Sequence, residues 1–167
     1  MSKAKLKKEL DKLDKEQLVQ LVLDFYTVNK TAKDYFEFFL DPDISKLREK
    51  YTAVIDREIV RKKWGNTKAR FTVIRKAVRD FESYGVGPEH VVKLMIHALQ
   101  AGLTAEYILH ATSAFVNGME KLVTDIIKYG DKNEIYSTAL SQLDTTLTEA
   151  HGTKRFVKHL RAVAGLD

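Results

Sequence analysis

The segment REIVRKKWGNTKARFTVIRKAVR, residues 57–79, decides where two of the predicted helices meet. It carries nine basic side chains against a single acid, Glu58, and the only Trp of the chain stands in its middle. One helical pattern stops before Trp64, Gly65 and Asn66, and another starts after them. The segment is therefore a strongly basic helix junction and a candidate binding site.

Length and composition indicate a protein with a substantial core. A chain of 167 residues suits one domain over residues 1–167, which would bury about 70% of the surface of the unfolded chain. Cys is absent, so disulfides, thiolate zinc sites and Cys nucleophiles are excluded, and a reducing cytoplasm is the expected compartment. The sequence has no signal-peptide pattern and no apolar run of about eighteen residues, so we expect neither secretion nor a membrane span.

The net charge of +5 is unevenly distributed. Residues 1–56 are neutral, residues 57–79 carry +8, residues 80–150 carry −6 and residues 151–167 carry +3. Acidic helices could pack against basic ones within the fold, or the basic segment could meet an anionic partner. Both interpretations stay open at the level of sequence.

Apolar spacing predicts an all-α protein with about eight or nine helices. We expect a single-domain helical bundle, with stacked hairpins of the α-solenoid type as the alternative. No internal repeat of fixed period is present, which favours the bundle.

Gly102 is predicted to end the sixth helix. Helix starts are predicted at Ser2, at Asp14 with Gln17, at Thr31 and Asp34, at Asp41 with Pro42, after Asn66, at Pro88, at Thr104, after Gly130 and after Gly152.

Three consecutive helices have patterns that bear on function. The third contains KDYFEFFL, residues 33–40, whose apolar side chains leave almost no polar face. Such a helix is usually buried in the middle of a domain, although aromatic clusters also stack on bases. The fourth helix is expected to run to about Lys63. The fifth helix has an apolar stripe on one face and a largely basic stripe on the opposite face. Solvated helices and helices that face an anionic surface both show this pattern.

The sequence contains no recognisable catalytic or metal-binding constellation. His90 and His97 lie two helical turns apart, and Glu106 with His110 supplies only two ligands on one helix face. No Glu stands three residues before any His, which excludes the di-iron bundle motif. The segment GVGP at residues 85–88 lacks the lysine of a phosphate-binding loop. We therefore expect no metal and no cofactor, and we predict that the protein is not an enzyme.

Three segments resemble a family of small bacterial proteins catalogued only as a domain of unknown function. They are KLKKELDKLDKEQLVQLVLDFY (5–26), KDYFEFFLDPDISKLREKYTAVIDREI (33–59) and KARFTVIRKAVRDFESYG (68–85). The resemblance covers roughly residues 3–100 and implies a bacterial, cytoplasmic helical protein. It brings no activity, ligand or catalytic residue.

Two functions are compatible with the basic segment. The first is a non-enzymatic interaction module that binds a protein partner or a second copy of itself. The second is binding to the phosphate backbone of nucleic acid. The candidate residues for either function are Arg57, Arg61, Lys62, Lys63, Trp64, Lys68, Arg75 and Arg79.

The position of the Trp64 side chain distinguishes a binding site from a junction with a purely structural role. In the nucleic-acid hypothesis the indole stacks on a base or a sugar, and backbone N–H groups at Asn66 and Thr67 meet phosphate at the start of the fifth helix. No helix-turn-helix spacing is present, and the acidic segment would repel a long duplex. The commoner arrangement is a Trp packed beneath the loop with its N–H bonded to a carbonyl, and this is the expected position of Trp64.

Overall fold

Helices form almost all of the regular structure of the chain. The computed structural model describes residues 2–166, and over this range it contains nine helices and one pair of two-residue strands. The helices are α1 (Lys3–Leu10), α2 (Lys15–Val28), α3 (Lys30–Leu40), α4 (Ile44–Ile59), α5 (Phe71–Glu82), α6 (Pro88–Ile108), α7 (Ser113–Lys132), α8 (Tyr136–Thr148) and α9 (Lys154–Ala164). The strands are β1 (Lys62–Lys63) and β2 (Asn66–Thr67). The all-α class is confirmed, as is the number of helices within the described range.

The chain divides into two compact units on either side of the Asp43–Ile44 bond. The first contains α1 to α3, and the second contains α4 to α9 with the strand pair. A single domain over residues 1–167 remains a prediction, which a single thermal transition would support. Within residues 2–166, no helix combines the length and the apolar character that crossing a membrane requires.

In the first unit the helix starts follow side-chain caps. The Ser2 hydroxyl accepts from the Lys5 amide at 3.3 Å, and Asp14 and Gln17 form the predicted reciprocal capping box. Helix α3 begins earlier than predicted, because the Asn29 side chain accepts from the Ala32 amide at 3.1 Å and caps the helix at Lys30.

The predicted burial of α3 is wrong. Phe39 is 67% exposed and Leu40 is 79% exposed, and Ala32 is the one buried residue among the described residues of this helix. The α2–α3 contact within this unit includes Tyr26 and Phe36, whose ring centroids lie 6.4 Å apart. A short helix that is apolar all round has more apolar surface than one neighbouring helix can cover.

The second unit contains an extensive apolar core. Helix α4 packs on α5 and α6, and α7 packs on α6, α8 and α9. The predicted stripes of these helices supply most of the core, because residues three and four apart lie on one helix face. Fully buried members include Ile55, Ile59, Ile74, Phe81, Leu94, Met119, Ile126 and Leu143.

The predicted boundary between the sixth and seventh helices is wrong. Helix α6 continues through Gly102 to Ile108, and Thr112 instead of Thr104 caps α7. A Cβ at Gly102 would overlap the side chain of Met119, so this glycine permits close helix packing and does not end the helix. Gly118 likewise makes room for the ring of Phe71.

The junction between α4 and α5 also differs from the prediction. Helix α4 ends at Ile59 instead of Lys63, and α5 begins at Phe71 instead of directly after Asn66. The intervening residues contain β1 and β2, which pair antiparallel. The strands are too short for the alternation that identifies a strand in a sequence.

Candidate functional site

The centre of the basic segment is a tight β-hairpin. Lys62 pairs with Thr67 and Lys63 pairs with Asn66, which leaves Trp64 and Gly65 as a two-residue turn. Both turn residues have positive φ angles, 54° and 77°, as a type I′ hairpin requires. A positive φ is uncommon for a bulky residue such as Trp, so the surrounding structure has to hold this turn.

Hydrogen bonds fix the hairpin to the connection between α6 and α7. Thr67 is 2% exposed, and its amide donates to the carbonyl of His110 at 2.9 Å. The His110 amide donates to the Gly65 carbonyl at 3.1 Å, and the Thr112 amide donates to the Thr67 hydroxyl at 3.0 Å. Because Thr112 also caps α7, the hairpin position is coupled to the start of that helix.

The predicted packing of Trp64 beneath the loop is wrong. Trp64 is 89% exposed, and apart from Gly65 and its two chain neighbours no heavy atom of the described residues lies within 4 Å of the position that a Cβ would occupy on Gly65. Tyr107 and Ile108, just before the segment that anchors the hairpin, are 66% and 71% exposed. The turn therefore presents an uncovered indole to solvent.

Glu58 organises the arginines at the base of the hairpin. Its carboxylate is 1% exposed and accepts from Arg70 Nε at 2.5 Å and from Arg70 Nη2 at 2.8 Å. Arg57 Nε donates to the same carboxylate at 3.4 Å, and Arg61 Nη1 lies 4.0 Å from it. The hydrogen bonds from Arg70 above all, with the nearby guanidinium charges, lower the pKa of Glu58 to about 2 although burial opposes the shift.

Five basic side chains line a shallow depression beside the turn. The depression has a volume of about 490 Å³, and no acidic side chain lines it. Among the described residues, no carboxylate lies within salt-bridge distance of Lys62, Lys63 or Lys68. We call this depression together with Trp64 the hairpin surface. Its lining consists of Arg57, Val60, Arg61, Lys62, Lys63 and Lys68.

The remaining basic residues of the segment lie elsewhere. Arg75 Nε donates to Asp125 at 2.8 Å, and Lys76 pairs with Asp80 along α5. Arg79 lines a second depression between α5, α6 and α7, which we call the α5 depression. Its charged and phenolic lining consists of Arg75, Arg79, Glu82, Asp125, Lys128, Tyr129 and Lys132.

The eight candidate residues are thus divided between two surfaces. Six of them form the hairpin surface, while Arg75 and Arg79 belong to the α5 depression. The two depressions share no lining residue. A single basic face over residues 57–79 is therefore not what the fold produces.

The predicted anion site at the start of the fifth helix is wrong. The Thr67 amide is bonded to the His110 carbonyl, and the Lys68 amide donates to the Arg61 carbonyl at 2.7 Å. The helix itself begins only at Phe71, after the Arg70 amide has bonded to the Glu58 carbonyl at 3.3 Å. These backbone donors serve the hairpin and not a ligand.

Some residues of both surfaces were not predicted from the sequence. The anchors Thr67, His110 and Thr112 come from segments more than forty residues apart, and Lys128 and Lys132 belong to the acidic segment. A two-residue turn ending in glycine is a recognisable hairpin signal. Within residues 2–166, no group of three or more His, Asp or Glu side chains is arranged to hold a metal ion.

The chain belongs to a family of unknown function (DUF6155), whose model matches residues 1–159. This match confirms the resemblance drawn from the sequence and extends it beyond residues 3–100. No curated protein and no solved structure matches the chain. The family brings no activity, so a function has to be argued from the geometry of the two surfaces.

Proposed function

We propose that the protein is a non-enzymatic binding module whose hairpin surface binds single-stranded nucleic acid. The observation that carries this proposal is the exposed Trp64 indole beside a depression lined by five basic side chains and no acid. Grooves that bind single strands combine basic side chains along the backbone with aromatic rings on which bases stack.

The lysine charges of the hairpin surface are available to phosphate. Glu58, the one acid of the segment, is enclosed by arginine side chains and held chiefly by Arg70, which does not line the depression. Lys62, Lys63 and Lys68 have no carboxylate partner among the described residues. A phosphate oxygen would therefore meet lysines without displacing an existing ion pair.

The shape of the turn supports a single strand over a duplex. An indole on a projecting two-residue turn can stack only on a base whose face is uncovered, and bases in a duplex are already stacked. Anchoring by Thr67 and His110 fixes the backbone of the turn before binding, which lowers the ordering cost. The absence of Cys suits a reducing compartment, and we place this binding in the bacterial cytoplasm.

A protein partner or a second copy of the chain is the second candidate for the same surface. The exposed Tyr107 and Ile108 favour it, because exposed apolar side chains beside a Trp resemble the anchors of protein interfaces. Lysine, however, is depleted from protein interfaces, and three of the five basic residues here are lysines. That composition supports phosphate as the preferred partner.

Titration of the intrinsic fluorescence of Trp64 with an oligothymidylate tests the proposal. Since the chain has only one Trp, emission that is excited selectively over its seven tyrosines comes from the hairpin surface alone. We expect a saturable change, and substitution of Lys62, Lys63 and Lys68 by Ala should weaken binding by about tenfold or more. Trp64→Ala should weaken binding by about 1–3 kcal/mol in an anisotropy assay with labelled oligonucleotide, the range for one stacked base.

A charge-matched control removes three exposed lysines that line neither depression, Lys93, Lys121 and Lys158. Equal loss of binding in this control would mean that only net charge matters, and the proposal would be wrong. If oligonucleotide leaves Trp64 fluorescence unchanged while Lys62→Glu and Lys63→Glu alter the association state in sedimentation, the second candidate replaces the first.

A further inference from the structure

The α5 depression has the features of a site for a small molecule. It has a volume of about 340 Å³, within the size range of small-ligand sites, and lies between α5, α6 and α7. Its apolar lining is formed by Ile74, Val78, Met95 and Leu122, which belong to the core of the second unit. An apolar floor within a charged rim is typical of sites that bind organic ligands.

The two carboxylates of the rim have different surroundings. Asp125 accepts from Arg75 Nε at 2.8 Å, and the Arg75 guanidinium lies 5.9 Å from the centre of the Phe71 ring. Glu82 lies beside the phenol of Tyr129. Burial and, after it, the charge of Glu82 raise the pKa of Tyr129 to about 12, so the phenol stays protonated and can donate to that carboxylate.

Three cations of the rim remain without such partners. Among the described residues, no carboxylate lies within salt-bridge distance of Arg79, Lys128 or Lys132. Buried Nη2 of Arg75 also has no hydrogen-bond acceptor among these residues, so protein groups satisfy this guanidinium only in part. The rim therefore has an excess of positive charge beside an apolar floor.

We infer that the α5 depression binds a small organic anion, in which a carboxylate or phosphate group meets Arg79, Lys128 and Lys132 and an apolar body covers Val78 and Leu122. The anionic group determines orientation, because the two rim carboxylates repel an anion placed on their side. The apolar body contributes through the surface that it removes from water. This site shares no residue with the hairpin surface and does not depend on nucleic-acid binding.

Decanoate and decyl phosphate are suitable probes, and decanol, which has the same body without the charge, is the matched control ligand. In ¹H–¹⁵N spectra of the full chain we expect saturable shifts of amides in α5 and α7. Decanol should bind about tenfold more weakly or worse, because it loses the charge-assisted contacts. Equal binding of decanol, or shifts confined to residues outside α5, α6 and α7, would overturn the inference.

Variants connect the binding to the rim. Substituting both Arg79 and Lys128 by Ala should weaken decanoate binding by about tenfold or more, whereas substituting both Lys121 and Lys158, exposed lysines outside the depression, should change it less than about twofold. Retention of full affinity by the Arg79 and Lys128 variant contradicts the proposed site. The far-ultraviolet circular dichroism of each variant verifies that it is folded.

Two further arms separate this site from other anionic partners. The Arg79 and Lys128 variant should still bind oligothymidylate, because these residues do not belong to the hairpin surface. Either proposal can therefore fail without the other. Vesicles of phosphatidylglycerol distinguish a free anion from a lipid surface. Sedimentation with these vesicles, without any binding of decanoate or decyl phosphate, would show that the ligand is not a free small molecule.

Discussion

The hairpin surface and the α5 depression are formed by the same basic segment, yet their charges have different surroundings. At the hairpin Glu58, the one acid of residues 57–79, is enclosed by arginines, and Lys62, Lys63 and Lys68 are exposed. In the α5 depression Arg75 is tied to Asp125, and the cations surround an apolar floor. One surface suits an extended polyanion and the other a compact anion with an apolar part.

This difference follows from which element carries each charge. A two-residue turn has almost no surface to bury and projects its side chains into water. Helix α5 instead buries one face against neighbouring helices, which brings its basic residues close to charged residues of those helices. Two stretches with similar charge in a sequence can therefore form sites of different chemistry.

Charge reversal should produce the largest contrast between the two surfaces. Replacing Lys62, Lys63 and Lys68 by Glu should weaken oligonucleotide binding by about a hundredfold or more, because attraction becomes repulsion at each position. Replacing Arg79 and Lys128 by Glu should change the same binding by less than about threefold. Fluorescence anisotropy at constant salt measures the affinity of both variants for the oligonucleotide. Similar losses of affinity would mean that the two surfaces do not differ in nucleic-acid binding.

The two acids that hold arginines should differ in their contribution to stability. Glu58→Gln should lower the free energy of unfolding by about 1.5–3 kcal/mol, because a buried carboxylate loses charged hydrogen bonds to Arg70. Asp125→Asn should cost less than about 1 kcal/mol, since Asp125 and Arg75 are both partly exposed. Urea denaturation measures the free energy of unfolding of both variants. An equal decrease would mean that the ion pair of Glu58 is as exposed to solvent as the pair of Asp125 and Arg75.

The contribution of Glu58 should also depend on pH. Hydrogen bonds from Arg70 lower its pKa from 4.5 to about 2 in the folded chain, so the unfolded chain takes up the proton first as the pH falls. The stabilisation is therefore complete above about pH 5 and disappears as the pH approaches about 2. The difference in unfolding free energy between the native chain and Glu58→Gln should shrink from pH 7 to about pH 3. A constant difference would contradict the lowered pKa.

Two glycines should distinguish a packed surface from an open one. Gly118→Ala should cost about 1–3 kcal/mol, because the added methyl overlaps the Phe71 ring beneath Arg75. Gly65→Ala meets no neighbouring atom and should cost only about 1 kcal/mol, through its positive φ of 77°. Thermal unfolding of both variants compares them, and a larger loss for Gly65→Ala would show that the hairpin is more tightly packed than described.

The sequence predicts the helical core better than it predicts the sites. Leu47, Ile55 and Ile59 repeat at helical spacing and are buried as expected, because periodicity reports which side of a helix faces the core. The prediction that Gly102 ends a helix is wrong. In a sequence, a glycine that makes room for the side chain of Met119 looks the same as a glycine that ends a helix. Spacing likewise gives no sign that His110 would hold the hairpin, because that contact joins distant segments.

Exposure limits what can be predicted about the candidate site. Trp64 and Phe39 are large and apolar, so general rules place both inside, yet both are exposed. For Trp64 the reason is its position in a two-residue turn, and for Phe39 it is a helix with more apolar surface than α2 covers. The sequence also does not show which charges pair. Asp125 pairs with Arg75, whereas no carboxylate of the described residues lies within salt-bridge distance of Arg79.

The salt dependence of oligonucleotide binding tests the central claim about the hairpin surface most directly. If three to five of its basic residues meet phosphates, the logarithm of the binding constant should fall with the logarithm of salt concentration with a slope of about −2 to −3.5 for a single strand. Removal of Lys62, Lys63 and Lys68 should make this slope less steep by about 2, and removal of Lys93, Lys121 and Lys158 should leave it unchanged. A slope near zero, or the same slope in both variants, would contradict phosphate binding at the hairpin surface.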